Sequence, residues 1–169
     1  MIVFLRVLRL LTLVVWVGGL IFFALVLAPV AFHVLPSTHE AGIVVGATLR
    51  ALNAIGFFCG LIFLFSTIPS WLKATARGRK FFITQMLLVV LMIGATCYVS
   101  ANIIPAMERD RLAAGGDVDA AAPDNPARLD FERLHPLSEK LEGSALFLGL
   151  GLVILIGMEN PRIAPIEVV

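Results

Sequence analysis

Charge is scarce in this chain: 15% of its 169 residues are Asp, Glu, Lys or Arg, against about 25% in an ordinary soluble domain. Cysteine is scarcer still, with two residues, Cys59 and Cys97, each set inside an apolar run. A disulfide framework needs oxidising, extramembrane surroundings, so both read as packing residues. No basic stripe with interleaved aromatics is present, which argues against a nucleic-acid partner. The sequence also lacks a Gly-x-Ser-x-Gly elbow, a Walker loop and a Cys-x-x-Cys pair. No two histidines recur at helical spacing, as haem ligation across a bundle favours. The expectation is a protein that is not an enzyme and carries no cofactor.

What the chain has in abundance is apolar sequence, 59% of its residues. Four runs stand out. The first, Leu10 to Val34, is too long for the apolar core of a signal peptide and long enough to span a bilayer. The others are Gly42 to Trp71, Phe81 to Ile104 and Gly143 to Met158. Sixteen residues are short for a span, so the fourth helix should start earlier, with Pro136 in its first turn. The fold class is all-α, a single four-helix transmembrane bundle. Its helices are expected at about 8–34, 43–71, 81–104 and 133–159. Pro29 should kink or end the first helix and Pro105 close the third.

Basic residues give the orientation. Arg6 and Arg9 flank the first span, and Lys73, Arg77, Arg79 and Lys80 fill the segment between the second and third. The positive-inside rule puts both in the cytoplasm, and with them both chain ends. The long segment at about 106–130 then lies outside. Its middle, Ala113 to Pro126, is Ala, Gly, Asp and Pro, which predicts a flexible loop. High Ala and Gly with a short cytoplasmic loop suits a multi-pass protein of a bacterial inner membrane. Small-xxx-small pairs at Gly42/Gly46, Ala47/Ala51 and Gly56/Gly60 predict close helix packing or a homo-oligomeric seam. The bilayer is one partner, and a second membrane protein could be another.

Polar groups inside a span are costly and therefore candidates for function. Arg50 and Asn53 lie three residues apart in the second helix. His135, Ser138, Glu139 and Glu142 fall at offsets 0, 3, 4 and 7 and form one stripe. The candidate polar network is therefore His135, Ser138, Glu142, Arg50 and Asn53, with Glu142 expected to pair with Arg50. It has two readings, a structural interfacial turn or an outward-facing pocket for a small molecule, lipid or protein partner. His33, His39 and His135 share the outer side and form an alternative metal set, though no spacing matches a ligand motif.

Two stretches carry a resemblance. Trp16-Val17-Gly18-Gly19 opens a pattern continued by Ala28-Pro29-Val30-Ala31-Phe32, and Phe131-Glu132-Arg133-Leu134-His135-Pro136-Leu137-Ser138 precedes the last span. Together they resemble the family of four-helix membrane proteins related to human transmembrane protein 205, a domain of unknown function. The likeness covers most of the chain outside Ala113 to Pro126. That family has an amide four residues after the Leu-His-x-x-Ser element, whereas this chain has Glu142. The Trp-x-Gly-Gly start is also similar to copper-resistance D-type and anthrone-oxygenase-like membrane proteins. That similarity implies two further functions, copper-type metal handling or resistance and haem or quinone redox work.

Overall fold

A computed structural model describes residues 2–159. All regular structure among them is helical: α1 (Ile2–Phe22), α2 (Ala28–Val34), α3 (Thr38–Lys73), α4 (Ala76–Tyr98), α5 (Ile104–Ala113) and α6 (Pro126–Gly157). Single π-helical turns, Phe23–Leu27 and Val99–Ile103, join α1 to α2 and α4 to α5. The result is four long rods, each long and apolar enough to cross a membrane.

Both π turns have the same cause. Pro29 and Pro105 stand in the first turns of α2 and α5. A proline ring lacks an N–H and collides with the carbonyl one turn back, and an extra residue per turn makes room for it. The third rod therefore does not stop at Pro105, as the apolar run suggested, but continues to Ala113. It ends in a Schellman motif. The N–H groups of Gly115 and Gly116 donate to the carbonyls of Leu112 and Arg111, with both glycines at positive φ.

The other helix ends are set by side-chain caps. Ser37 accepts from the Glu40 N–H at 3.1 Å, an N-cap bond. Thr75 accepts from the Gly78 N–H, so Arg77, Arg79 and Lys80 lie in the first turns of α4 rather than in a loop. Asn125 accepts from the Ala127 N–H at 2.9 Å, and Pro126 opens α6. That start is several residues earlier than the expected 133, and Pro136 is interior to the helix. The long connection shrinks accordingly, from the expected 106–130 to residues 114–125.

The rods run up, down, up and down, and pack as a ring: α1 on α3, α3 on α4, α4 on α6, and α6 back on α1. The turns at residues 35–37 and 114–125 mark one end, called here the loop end. The start of α1, the turn at residues 74–75 and Glu159 mark the terminal end. The core between them is built on Trp16, Val17, Phe63, Val89, Met92, Leu152 and Ile156. Hydrophobic collapse cannot drive helices together in lipid, so close approach depends on small residues. A Cβ on Gly56 would lie 2.7 Å from Trp16 Cδ1, one on Gly60 2.7 Å from Ile93 Cδ1, and one on Gly149 2.7 Å from Val17 Cγ2. Gly56 and Gly60 are thus the seat for Trp16. Gly42 and Gly46 differ, since a Cβ on either would meet nothing within 4 Å. Outward, the rods present Phe4, Val14, Leu25, Phe58, Phe65, Leu87 and Phe147, the surface a bilayer covers.

Candidate functional site

The open space beside Gly42 and Gly46 belongs to a cavity of about 490 Å³ at the loop end. All four rods contribute to it. Phe23, Ala28 and Phe32 come from the first, Thr38 to Arg50 from one face of α3, and Ile104, Met107, Glu108 and Arg111 from the extended third rod. Phe131, His135, Ser138, Glu139 and Glu142 come from α6, and Asp117, Val118 and Asp119 from the connecting segment. That segment packs on the bundle through three contacts. Val118 is buried, Thr38 donates a hydrogen bond to Asp119, and Arg128 donates to the carbonyls of Asp119 and Ala121 at 3.3 and 2.8 Å.

Of the five polar residues singled out from the sequence, four line this cavity: His135, Ser138, Glu142 and Arg50. Asn53 stands behind it, 2% exposed, and donates to Glu142 Oε1 at 2.8 Å. The expected Arg50–Glu142 pair is not formed. Arg50 instead reaches Glu108 at 3.2 Å, half exposed at the rim. The physical reason is the π turn before Pro105. It carries the third rod onward past the apolar run and delivers Glu108 to the level of Arg50. Arg111 donates to the same carboxylate at 2.6 Å, so Glu108 holds both cavity-lining guanidinium groups.

Glu142 is left with a single partner. Its Oε2 and the Asn53 Oδ1 are buried without a hydrogen bond among the described residues. The Ser138 hydroxyl, 7% exposed, also faces the cavity. Burying polar atoms unpaired costs about 1–3 kcal/mol each, and a carboxylate in a hydrocarbon layer more. The arrangement is a polar patch set into walls of Phe23, Phe32, Leu49, Ile104 and Phe131. Chemically, it can accept hydrogen bonds and neutralise positive charge.

The three histidines separate. His39 and His135 line the cavity, and His135 lies 3.6 Å from Glu139 one helical turn on. His33, at the exposed end of α2, is not part of it. No three His, Cys, Asp or Glu side chains among the described residues are grouped as a metal ion requires. The metal set His33, His39 and His135 is therefore not assembled.

A second polar cluster at the terminal end was missed in the sequence. Arg9 is fully buried. It donates to Gln85 Oε1 at 3.2 Å and to Glu159 Oε1 at 2.9 Å, and its guanidinium lies 5.4 Å from the centre of the Phe82 ring. Arg6 donates to the Glu159 carbonyl. A lone Gln85 within an apolar run was the available signal. Arg9, by contrast, read as a topology charge.

Residues 11–112 match a family described as a domain of unknown function (DUF4149). That stretch is more than half of the chain, and the protein belongs to this family. No curated protein and no solved structure matches the chain. The match takes in most of the first three rods, from residue 11 onward, and ends before α6, which carries His135, Ser138 and Glu142.

Proposed function

With that family membership as its premise, we propose that this multi-pass membrane protein is a non-enzymatic binding protein whose loop-end cavity holds a small amphipathic molecule. The observation that carries the reading is Glu142. A carboxylate with one unpartnered oxygen lines a cavity of about 490 Å³ whose walls are part apolar and part charged, within the roughly 300–1,000 Å³ of small-molecule sites. Proteins retain such costly groups in a bilayer chiefly for function. On the positive-inside argument the cavity opens away from the cytoplasm, in a bacterial inner membrane. The kinship with transmembrane-protein-205-like proteins rests on the Trp16 to Gly19 and Leu134 to Ser138 patterns, with Glu142 replacing an amide.

The test uses Gly46, where a larger side chain meets open space. Wild-type protein and Gly46→Phe are purified in mild detergent and their organic extracts compared by mass spectrometry. The expected result is a molecule retained by the wild type and lost from a variant with an unchanged unfolding midpoint. An identical extract from both proteins contradicts the proposal.

A further inference from the structure

The cavity's charge inventory narrows what it can hold. Two guanidinium groups line it, Arg50 and Arg111, and both are spent on Glu108, at 3.2 and 2.6 Å. Four further carboxylates face the same space: Asp117, Asp119, Glu139 and Glu142. Asp119 accepts from Thr38, and Asp117 from the Asp119 N–H at 3.0 Å. Both are neutral donors that leave the negative charge uncompensated. Glu139 has the imidazole of His135 at 3.6 Å, and His39 is the remaining titratable group on the wall. Glu142 has only the Asn53 amide. An anionic head would find no uncommitted lysine or arginine here among the described residues. A cationic head would find Glu142, a cavity-lining carboxyl group with no positive partner among the described residues, and Phe23, Phe32 and Phe131 on the walls of the same cavity.

We infer that the ligand of this cavity is a cationic amphiphile, an ammonium-type head bound at Glu142 with its apolar part against the phenylalanine walls. This rests on the cavity reading above and adds the sign of the charge. The Asn53 amide holds Glu142 Oε1 and leaves Oε2 without a partner among the described residues, and Ser138, one turn away on α6, lines the same cavity. Burying the cation beside Glu142 relieves the cost of the isolated carboxylate, so binding and bundle stability rise together.

The experiment uses the full chain in lipid nanodiscs and three probes of one shape: a phenylalkyl trimethylammonium, its neutral tert-butyl isostere and the corresponding carboxylate. Binding is read by calorimetry against protein-free discs. The ammonium should bind about tenfold or more tightly than the isostere, the ratio that one desolvated ion-pair or cation–π contact supplies, and the carboxylate should bind least. Glu142→Gln should keep the isostere's affinity and lose the ammonium's advantage. Glu132→Gln, outside the cavity, should change neither. Equal binding of ammonium and isostere overturns the cationic assignment while leaving the cavity a site. Binding of none of the three overturns the cavity reading itself. If Glu142→Gln does not fold, the three-probe comparison on the wild type decides alone. Doping the disc with phosphatidylethanolamine then separates the sources. Displacement of the probe assigns the site to a lipid ammonium, and no displacement to a free amphiphile; both results keep a cation site.

Discussion

The two ends of the bundle meet the same problem, charge inside a membrane-spanning fold, in opposite ways. At the terminal end Arg9 is sealed from solvent and paired with Glu159, with Gln85 and the Phe82 ring completing its surroundings. Three rods contribute, and the cluster is largely closed to solvent and ion-paired, although Arg9 Nε, Gln85 Nε2 and Glu159 Oε2 have no hydrogen bond among the described residues. At the loop end Glu142 accepts one amide hydrogen bond and lines the cavity. Both ends hold buried polar atoms without a hydrogen bond among the described residues, so the contrast lies in the charge: Arg9 has an opposite charge beside it, whereas Glu142 has only a neutral amide. The difference separates a structural clasp from a site, although both consist of the same residue types.

Deleting the clasp gives the largest expected effect. Arg9→Ala strands Glu159 and Gln85 and should lower stability by about 3 kcal/mol, the low end of the range for breaking a buried ion pair, read as the unfolding midpoint in mild detergent. A second contrast compares two glycines of α3. Gly56→Ala drives a methyl into the Trp16 ring and should cost about 2 kcal/mol by overpacking. Gly46→Ala meets open space and should be neutral or stabilise by about 0.5–1 kcal/mol through helix propensity. If both glycines respond alike, the distinction between a packed seam and a cavity wall is wrong.

Glu142→Gln should behave unlike Arg9→Ala. The amide can still accept from Asn53 while the isolated charge is removed, so stability should stay level or rise by up to about 1 kcal/mol. A loss as large as that of Arg9→Ala would recast Glu142 as a second clasp. The smallest effect belongs to Arg50→Gln, within about 0.5 kcal/mol. That pair is half exposed, and Glu108 keeps its bond to Arg111.

Much of this comparison was legible in the sequence and part was not, for identifiable reasons. Four apolar runs suffice to give four rods: three are long enough to cross a bilayer, and the sixteen-residue fourth signals by its shortness that its helix begins earlier. The stripe from His135 to Glu142 follows from helical periodicity alone, and the bond between Asn53 and Glu142 joins residues already marked by their polarity. The Arg50 partner could not be read, because a proline after an apolar run signals a helix end as readily as a π turn. Only the continued rod brings Glu108 to the rim. Arg9 escaped notice because a basic residue before a span ordinarily lies in water. Its burial depends on Gln85 and Glu159 arriving from two other rods, a tertiary event with no local signature. The segment at residues 114–125 has the composition of a flexible loop, and its contacts with the bundle, through Val118 and the Arg128 bonds to its carbonyls, have no signature in that composition.

One measurement tests the open-versus-closed account most directly. In a background lacking Cys59 and Cys97, Ser138→Cys and Gln85→Cys are each treated in membranes with a small, water-soluble cationic methanethiosulfonate, and modification is followed over time by mass spectrometry. The account predicts rapid modification at position 138, slowed by the phenylalkyl trimethylammonium probe, and no modification at position 85 while the bundle is folded. Equal modification at the two positions, or none at position 138, would contradict it.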